Sequence, residues 1–327
     1  MYVFSRFIGR AMAIAAPLAF LAGCGGSGCA NCNVPPFQNP GSGVPTPFFT
    51  PVATPTPMTT PTPTGTVPPT PLPTQQAISC SQGGPATIAL GPALAPFALL
   101  AGSTVTNVGN TFVTNAAGAT TGGVNDDLIG VSPGTAVTGF YPPGTDRDGT
   151  NAIYAAGYNT DRTTPGNAQG ALVTAYNTAA GRAATATFAG GTDLSSASVP
   201  GSPTGTLPPG VYKSPTTFAI AGGNLTLDGG GNAQSVFIFQ MGTGLTTTAN
   251  GSNSGNVVLQ NGASACNIYW QVGSSATLGG ATFFGNVLAG QSVTINAATF
   301  TGRALAQTAA VSIPLSGGSL VTNPGGN

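Results

Sequence analysis

The sequence has no histidine and no glutamate, and Lys213 is its only lysine. Charged residues make up 4% of the 327 positions, seven basic against seven acidic, whereas soluble domains usually carry about a quarter. Histidine and the carboxylates serve general acid–base catalysis most often, so the shortage argues against a conventional hydrolase. A formal net charge of zero argues against nucleic-acid binding, which needs a basic face.

The few acidic clusters do not complete a known catalytic or metal-binding pattern. Asp126-Asp127 is a simple pair, and Asp146-Arg147-Asp148-Gly149 resembles the start of a calcium loop that no glutamate completes. We interpret both as turn and cap residues. The sequence therefore predicts a protein that is not an enzyme and holds no cofactor or metal, with a surface wetted by hydroxyls, amides and backbone.

Residues 1–24 have the pattern of a signal peptide. Arg6 and Arg10 supply a positive start, and the apolar run from Ala11 to Leu21 is too short to span a bilayer. The ending Leu21-Ala22-Gly23-Cys24 resembles the bacterial lipobox, which implies cleavage before Cys24 and lipid attachment to its sulfur. An ordinary signal peptide is the alternative. We expect an exported protein anchored through lipid to the outer membrane or cell surface.

Residues 25–77 are predicted to form a Gly/Cys segment followed by a disordered stalk. Pro/Thr repeats fill residues 35–74, with few apolar side chains to bury. Such a chain extends by about 3.1 Å per residue, so it could span roughly 120 Å. A spacer of this length indicates that the next domain meets something outside the cell envelope.

The remaining cysteines suggest disulfides. Cys29 and Cys32 have a metal-like spacing, but no second pair or histidine completes a zinc site, and a local disulfide is the favoured interpretation. Cys80 and Cys266 are the only cysteines in the predicted folded region, and in an oxidising compartment they could pair.

Residues 78–327 are predicted to form one domain of short strands separated by Gly, Asn and Pro turns. One helix is expected from about Pro165 to Gly181, where glycine is scarcer. Its predicted apolar stripe comprises Leu172, Val173, Tyr176, Ala179 and Ala180.

A repeat of about 17 residues runs through the last third of the chain. Gln271–Ser275 is followed by Leu288–Ser292 and then Leu305–Ala309. The next triplets also repeat, with an apolar residue on each side of a hydroxyl residue, as a half-buried strand requires. They are Ala276-Thr277-Leu278, Val293-Thr294-Ile295 and Val311-Ser312-Ile313. A repeat this short predicts a β-helix or solenoid whose coils stack at about 4.7–4.9 Å.

Two phases of this ladder are distinguished by side-chain type. One phase carries glycines, and the other carries small apolar and hydroxyl residues that we expect on an outward, flat face. A shift of one residue would exchange the two phases. The predicted face comprises Ala101, Ser103, Ser214, Thr243, Ser274, Ala289, Gln291, Ala306 and Thr308.

The order of motifs resembles that of the ice-binding β-helix family of cold-living bacteria, fungi and algae. The matching segments are FALLAGS at 97–103, GVSPG at 130–134, VTGF at 137–140, LPPGVY at 207–212, LTLDG at 225–229, VFIFQ at 236–240, ACNIYWQVGSSAT at 265–277 and GRALA at 302–306. The resemblance implies a mostly β protein, a discontinuous right-handed β-helix of triangular section with one long α-helix along a face. It also implies adsorption to ice through one flat β-face.

The sequence departs from some relatives at the motif Thr-(Ala/Gly)-x-(Thr/Asn). Thr243-Gly244-Leu245-Thr246 is the one convincing match on a strand, whereas Thr174-Ala175-Tyr176-Asn177 falls on the predicted helix. Fold membership is therefore better supported than the strength of ice binding.

Ice is a neutral hydrogen-bonded lattice, so a rigid, uncharged row of methyls and hydroxyls suits it. We expect a monomer whose partners are ice and, through its lipid, a membrane.

The alternatives to ice binding are a passive cell-surface solenoid, a polysaccharide-cleaving enzyme and a glycan-binding adhesion module. Tyr141, Tyr158 and Trp270 are candidate sugar platforms, although Trp270 fits a core position better. Lys213 is interpreted as a solvated edge charge, and Arg303 as a partner of backbone near the C-terminus.

Overall fold

The computed structural model describes residues 86–115, 128–140, 145–146, 153–248 and 253–325, with backbone only at 145–146. The chain divides into two units, Met1–Pro69 and Thr70–Asn327, and every described residue belongs to the second. The predicted signal peptide, Cys24 and the stalk lie outside the described residues. So do Cys29, Cys32, Cys80, Tyr141, Asp126-Asp127 and Arg147–Gly149.

Short strands and one long helix make up the domain. The first part of the chain contains α1 (Gly91–Leu94), β1 (Phe97–Ala101), β2 (Thr104–Asn107), β3 (Phe112–Asn115), β4 (Leu128–Val131), β5 (Ala136–Thr138), β6 (Thr145–Asp146), β7 (Ile153–Tyr154) and α2 (Thr163–Ala180). The remainder contains β8 (Ala186–Thr187), β9 (Thr192–Asp193), β10 (Thr206–Leu207), β11 (Gly210–Ser214), β12 (Phe218–Ile220), β13 (Leu225–Asp228), β14 (Phe237–Met241), β15 (Leu245–Thr247), β16 (Val257–Gln260), β17 (Ile268–Val272), β18 (Ala276–Leu278), β19 (Thr282–Ala289), β20 (Val293–Ile295), β21 (Thr299–Ala306), β22 (Val311–Ile313) and β23 (Leu320–Asn323). Short 3₁₀ turns cover Leu194–Ser196 and Ala265–Asn267.

The strands stack into a β-helix with three faces. The first face contains β1, β4, β7, β8, β11, β14, β17 and the C-terminal halves of β19 and β21. The second face has the order β5-β2-β22-β20-β18-β15-β12-β9. The third contains β10, β13 and β16, then the N-terminal halves of β19 and β21 with β23, β3 and β6. The described strand pairs are parallel, which confirms the predicted β-helical class.

The stacking order differs from the chain order. The first coil, β1 to β3, lies on the last coil, and Leu99, Val105 and Val113 pair with residues of β21, β22 and β23. The remaining coils then build away from that junction. The β-helix is therefore discontinuous, as the family resemblance implies. The 17-residue repeat is also confirmed, because Val272, Ala289 and Ala306 stand in register.

The interior of the coils holds an apolar core with a stack of aromatic rings. Trp270 is fully buried, and its ring lies 4.0 Å from that of Phe239, centroid to centroid. Phe239 in turn stacks on Tyr212 at 5.3 Å. The indole Nε1 donates a hydrogen bond of 2.9 Å to the carbonyl of Phe284. Trp270 is therefore a core residue, as expected from its strand position.

Helix α2 covers the outward side of the first face. The prediction of a helix at 165–181 is confirmed within two residues at each end. Its buried residues are Pro165, Ala168, Leu172, Ala175 and Ala179. The expected stripe was wrong at Val173, which is 45% exposed, and at Ala180, which is also exposed. Small alanines allow the helix to approach the sheet closely, so the contact line follows them instead of the larger Val173.

The corner between the first and second faces is built from glycine. A Cβ on Gly273 would lie 2.1 Å from the carbonyl oxygen of Gly242, and one on Gly290 would lie 2.5 Å from that of Gly273. Because these obstacles are backbone atoms of the coil below, only a residue without Cβ fits. The glycine phase of the sequence repeat therefore marks the corner.

Buried polar residues connect the start of the domain to the coils. Arg303 is fully buried, its Nε donates to the carbonyl of Ala95 at 2.8 Å, and its guanidinium donates to Oδ1 of Asn286 at 2.8 Å. Asn323 in β23 donates to the same Ala95 carbonyl at 3.1 Å. Cys266 is buried and disulfide-bonded; its expected partner Cys80 is not among the described residues.

No described helix is long and apolar enough to cross a membrane.

Candidate functional site

Four of the nine predicted face residues point into the core. Ala101, Ala289 and Ala306 are 0% exposed, and Ser214 is 1% exposed. Strand side chains alternate between the two sides of a sheet, and these four occupy inward positions of the first face. The prediction that they face outward was wrong, because their neighbours such as Leu288 and Leu305 are the residues that face outward, where they pack beneath α2.

The other five lie along the corner between the first and second faces. Thr243, Gln291 and Thr308 are exposed, and Ser103 and Ser274 are half-buried. Backbone hydrogen bonds join Thr243 to Ser274 and Ser274 to Gln291, at 2.6 and 2.8 Å. The next position in this ladder is Ala309, because its N–H donates to the Gln291 carbonyl. Thr308 lies beside the ladder and donates to the carbonyl of Gly290 at 2.8 Å. The corner is thus a narrow edge and not a flat face.

A broader regular surface lies on the second face. One outward-facing residue of each strand from β5 to β12 in this order stands in register with its equivalent in the next coil. We call this column the central row. It comprises Thr138, Thr106, Ser312, Thr294, Thr277, Thr246 and Ala219. Parallel strands are about 4.7–4.9 Å apart, so six hydroxyl groups repeat at that interval.

The central row is held in place by the apolar residues on either side of it. Ser312, Thr294, Thr277 and Ala219 each lie between two apolar side chains that enter the core, such as Val293 and Ile295 around Thr294. These side chains are fully or almost fully buried. Rigid anchoring of this kind leaves the outward methyls and hydroxyls little conformational freedom to lose on contact with a surface.

A second row runs beside the first, two residues earlier in the chain at each coil, at the start of the strand or just before it. It comprises Ala136, Thr104, Ala310, Ser292, Ser275, Gly244 and Thr217. Ser292 donates to the hydroxyl of Ser275 at 2.9 Å, and the hydroxyls of Thr294 and Ser312 are 3.1 Å apart. We call the two rows together the hydroxyl face.

The one described ionisable side chain in line with the hydroxyl face is directed into backbone. Asp193 follows Ala219 at the end of the central row. Its carboxylate accepts hydrogen bonds from the N–H groups of Gly222, Ser195 and Ala221, at 2.7, 3.0 and 3.2 Å. Partial burial raises the pKa of Asp193, but these hydrogen bonds outweigh it and hold the pKa below its usual value. The carboxylate therefore caps the end of the coil stack.

The described residues offer little for other kinds of site. They contain no group of three or more His, Cys, Asp or Glu that could hold a metal ion. Among the predicted sugar platforms, Trp270 is fully buried and Tyr158 is half-buried against the core. Lys213 is exposed at the outward side of β11, so the prediction of a solvated charge is confirmed. The prediction of an edge position was wrong, because β11 pairs with β8 and β14.

The hydroxyl face could have been found from the sequence. The triplets around Thr277, Thr294 and Ser312 already predict half-buried strands with an outward hydroxyl. The sequence interpretation placed the face one segment earlier, on residues that form the corner and the inward side of the first face. The glycines of the repeat mark the corner between the two faces, but residue type alone does not show which side of each strand enters the core.

Comparison with known proteins then identifies the family. Residues 99–316, two thirds of the chain, match the family model described as Ice-binding-like. The chain belongs to the ice-binding-like family. A protein of Nostoc sp. (strain HG1) named "Ice-binding protein" is 37% identical over 194 residues, which cover 59% of this chain and 59% of that protein. The match to this ice-binding-like relative thus spans well under two thirds of its length.

Solved structures of other members share the fold. An ice-binding protein from an Antarctic biological consortium is 34% identical, with a TM-score of 0.54, and the match covers 72% of this chain and 90% of that one. An ice-binding protein from the Antarctic ascomycete Antarctomyces psychrotrophicus is 32% identical, with a TM-score of 0.54 and coverage of 72% and 98%. The β-helix described above is therefore the architecture of this family.

Proposed function

We propose that the protein binds ice through the hydroxyl face. The observation that carries the proposal is the central row, in which six Thr or Ser hydroxyls repeat in register on a rigid sheet. Family membership and the names of the relatives support the same function. We assign the protein no catalytic role.

The physical basis is a match between two neutral, repeating surfaces. Each threonine presents a methyl, which orders adjacent water, and a hydroxyl, which joins a hydrogen-bonded network. A fixed charge would hold water in another arrangement, and no described Lys or Arg lies on the hydroxyl face. Many weak contacts then add over the area of the two rows.

Export and anchoring complete the proposal. Lipid on Cys24 would tether the protein to the cell envelope, and the Pro/Thr stalk would carry the domain outward as a monomer. In that arrangement the hydroxyl face would hold the cell to ice or modify ice close to its surface.

The test is the replacement Thr277→Tyr, at the middle of the central row. The bulky ring would lift the flat face away from ice, so we expect the variant to lose most of the ice-crystal shaping and of the freezing–melting gap of the wild-type protein. The matched control is Thr226→Tyr, since Thr226 points outward from β13 on the third face.

Shaping by the wild type and Thr226→Tyr but not by Thr277→Tyr supports the proposal. Equal loss in both variants would place the activity elsewhere. A folded wild-type protein that neither shapes ice nor inhibits recrystallisation would contradict ice binding and favour a passive surface solenoid.

A further inference from the structure

A cavity of about 530 Å³ lies just beyond the C-terminal end of α2, on the outward side of the first face. Its apolar floor comprises Val211, Val236 and Ile238, which belong to the cluster packed beneath α2. Val211 and Ile238 lie side by side, because they stand in register on β11 and β14. The volume falls within the range of small-molecule pockets, about 300–1,000 Å³. The cavity therefore has the size and the floor for a small organic ligand.

Arg182 brings a positive charge to this cavity through its side chain. Its backbone N–H donates to the carbonyl of Ala179 and its carbonyl accepts from Gln240, and neither of these residues lines the cavity. Its guanidinium donates to the carbonyl of Thr87 at 3.2 Å, and the preceding residue, Ala86, does line the cavity. Since Arg182 lines it too, the guanidinium is the part of Arg182 that meets the cavity, on the side of Ala86.

No carboxylate in the described part of the chain neutralises Arg182. The aspartate side chains that the structure describes are Asp161, Asp193 and Asp228. Asp161 caps the first turn of α2, Asp193 caps the end of the coil stack, and Asp228 accepts from residues that follow β13 and β16. The bond to Thr87 uses one of the five N–H donors that a guanidinium carries. A carboxylate is the group that matches the planar fork of arginine.

The other polar groups on the rim are also left as donors. The hydroxyl of Thr185 accepts from the N–H of Val211 at 3.0 Å, which leaves its own hydrogen for an acceptor. Oδ1 of Asn232 accepts from the N–H of Gln234 at 2.9 Å, which leaves its amide N–H groups. The end of α2 is partly negative, but Gln240 already donates to its last carbonyls. A positive charge and donors above an apolar floor favour an anion with an apolar body.

We propose that this cavity binds a small aliphatic carboxylic acid in its ionised form. The carboxylate would lie on the guanidinium of Arg182, and the hydrocarbon chain would cover Val211, Val236 and Ile238. Burial of the chain removes apolar surface from water, which inorganic phosphate or acetate cannot do. The site does not depend on ice binding. Because the hydroxyl face lies on another side of the β-helix, both surfaces can be occupied together.

The probe is sodium hexanoate, compared with hexanamide, which lacks the charge, and with acetate, which lacks the chain. Binding to the full-length protein is measured by calorimetric titration and by saturation-transfer NMR. We expect saturable binding of hexanoate with a dissociation constant of about 1 mM. Hexanamide should bind at least about tenfold more weakly, because it cannot form a charge-assisted pair with Arg182. Acetate should also bind at least about tenfold more weakly, because it buries four fewer methylene groups.

Three variants locate the site on the protein. Arg182→Met removes the positive charge and should weaken hexanoate binding about tenfold. Thr185→Asp places a carboxylate at the rim, where it can still accept from the N–H of Val211, and should weaken binding by a similar factor. This variant leaves the bond between Arg182 and Thr87 intact, so it decides the question even if Arg182→Met does not fold. Lys213→Met is the matched control, since it removes an exposed positive charge from the same side of β11 outside this cavity.

Weaker hexanoate binding in Thr185→Asp and in folded Arg182→Met, with Lys213→Met unchanged, supports the site. Absence of saturable hexanoate binding overturns the proposal, as does binding that Thr185→Asp leaves unchanged or that Lys213→Met weakens equally. Equal binding of hexanamide overturns the role of the charge, and equal binding of acetate or inorganic phosphate overturns the role of the apolar floor; either result rejects the proposed ligand. Ice shaping by Thr185→Asp should remain at the wild-type level, so failure of this site is distinguishable from failure of ice binding.

Discussion

Replacing one corner glycine tests whether coil stacking depends on the absence of a side chain. In Gly273→Ala the new Cβ would lie 2.1 Å from the carbonyl oxygen of Gly242 and 2.6 Å from its carbonyl carbon. Cβ atoms essentially never approach other atoms within 3.0 Å, so one coil must move by about 0.9 Å. The obstacle is backbone already bonded to its neighbours, and no side chain can rotate to relieve it.

Overpacking of this kind costs about 1–3 kcal/mol, and we expect the upper end because backbone has to shift. For a domain of this size, each kcal/mol lowers the melting temperature by about 2–4 °C. Gly273→Ala should therefore melt about 6–12 °C below the wild type. The displacement should also disturb the adjoining hydroxyl face, since Ser275 follows two residues later.

The matched control is the same substitution in α2. At Gly170 an added Cβ would meet nothing within 4 Å, and alanine is favoured over glycine in a helix by about 0.8–1.0 kcal/mol. Gly170→Ala should thus raise the melting temperature by about 2–4 °C. Both are measured by thermal unfolding followed by circular dichroism. A Gly273→Ala protein that melts at the wild-type temperature would refute the close-approach argument.

Three further predictions concern Gln240 at the C-terminal end of α2, Asp193 at the end of the central row and the proposed lipid anchor at Cys24. Gln240→Leu should destabilise the protein by about 2–3 kcal/mol in urea unfolding, because the carbonyls of Ala179, Ala180 and Arg182 lose the hydrogen bonds that the Gln240 amide donates; an unchanged midpoint would contradict this. The pKa of Asp193 is lowered by folding, so its contribution is complete above the unfolded pKa of about 3.9 and is lost as pH falls through the folded value. The stability gap between wild type and Asp193→Asn should therefore shrink below about pH 4. Cys24→Ser should move the exported protein from the membrane fraction to the soluble one, and continued membrane association would exclude the lipid.

Much of the architecture follows from local pattern in the sequence. The 17-residue spacing between Val272, Ala289 and Ala306 predicts stacked coils, because a constant period places equivalent residues above one another. The helix is also visible locally, since it occupies the segment where glycine is scarce. The shortage of charged residues is a property of composition alone. It predicts that the solvent-exposed faces of the domain carry few charges, whichever residues form them.

The location of that face was decided only by tertiary structure. Ala289 and Thr294 belong to the same coil and both fit a small, weakly polar surface by residue type. Ala289 enters the core and Thr294, five residues later, faces out, because the alternation of side chains continues around the corner at Gly290. Strand parity reverses with a shift of one residue, and residue type alone did not show which parity enters the core. The sequence by itself determined the repeat, the helix and the lack of charge. Which row meets the outside depended on where each coil turns and on α2 covering the first face, and both are contacts between residues far apart in the chain.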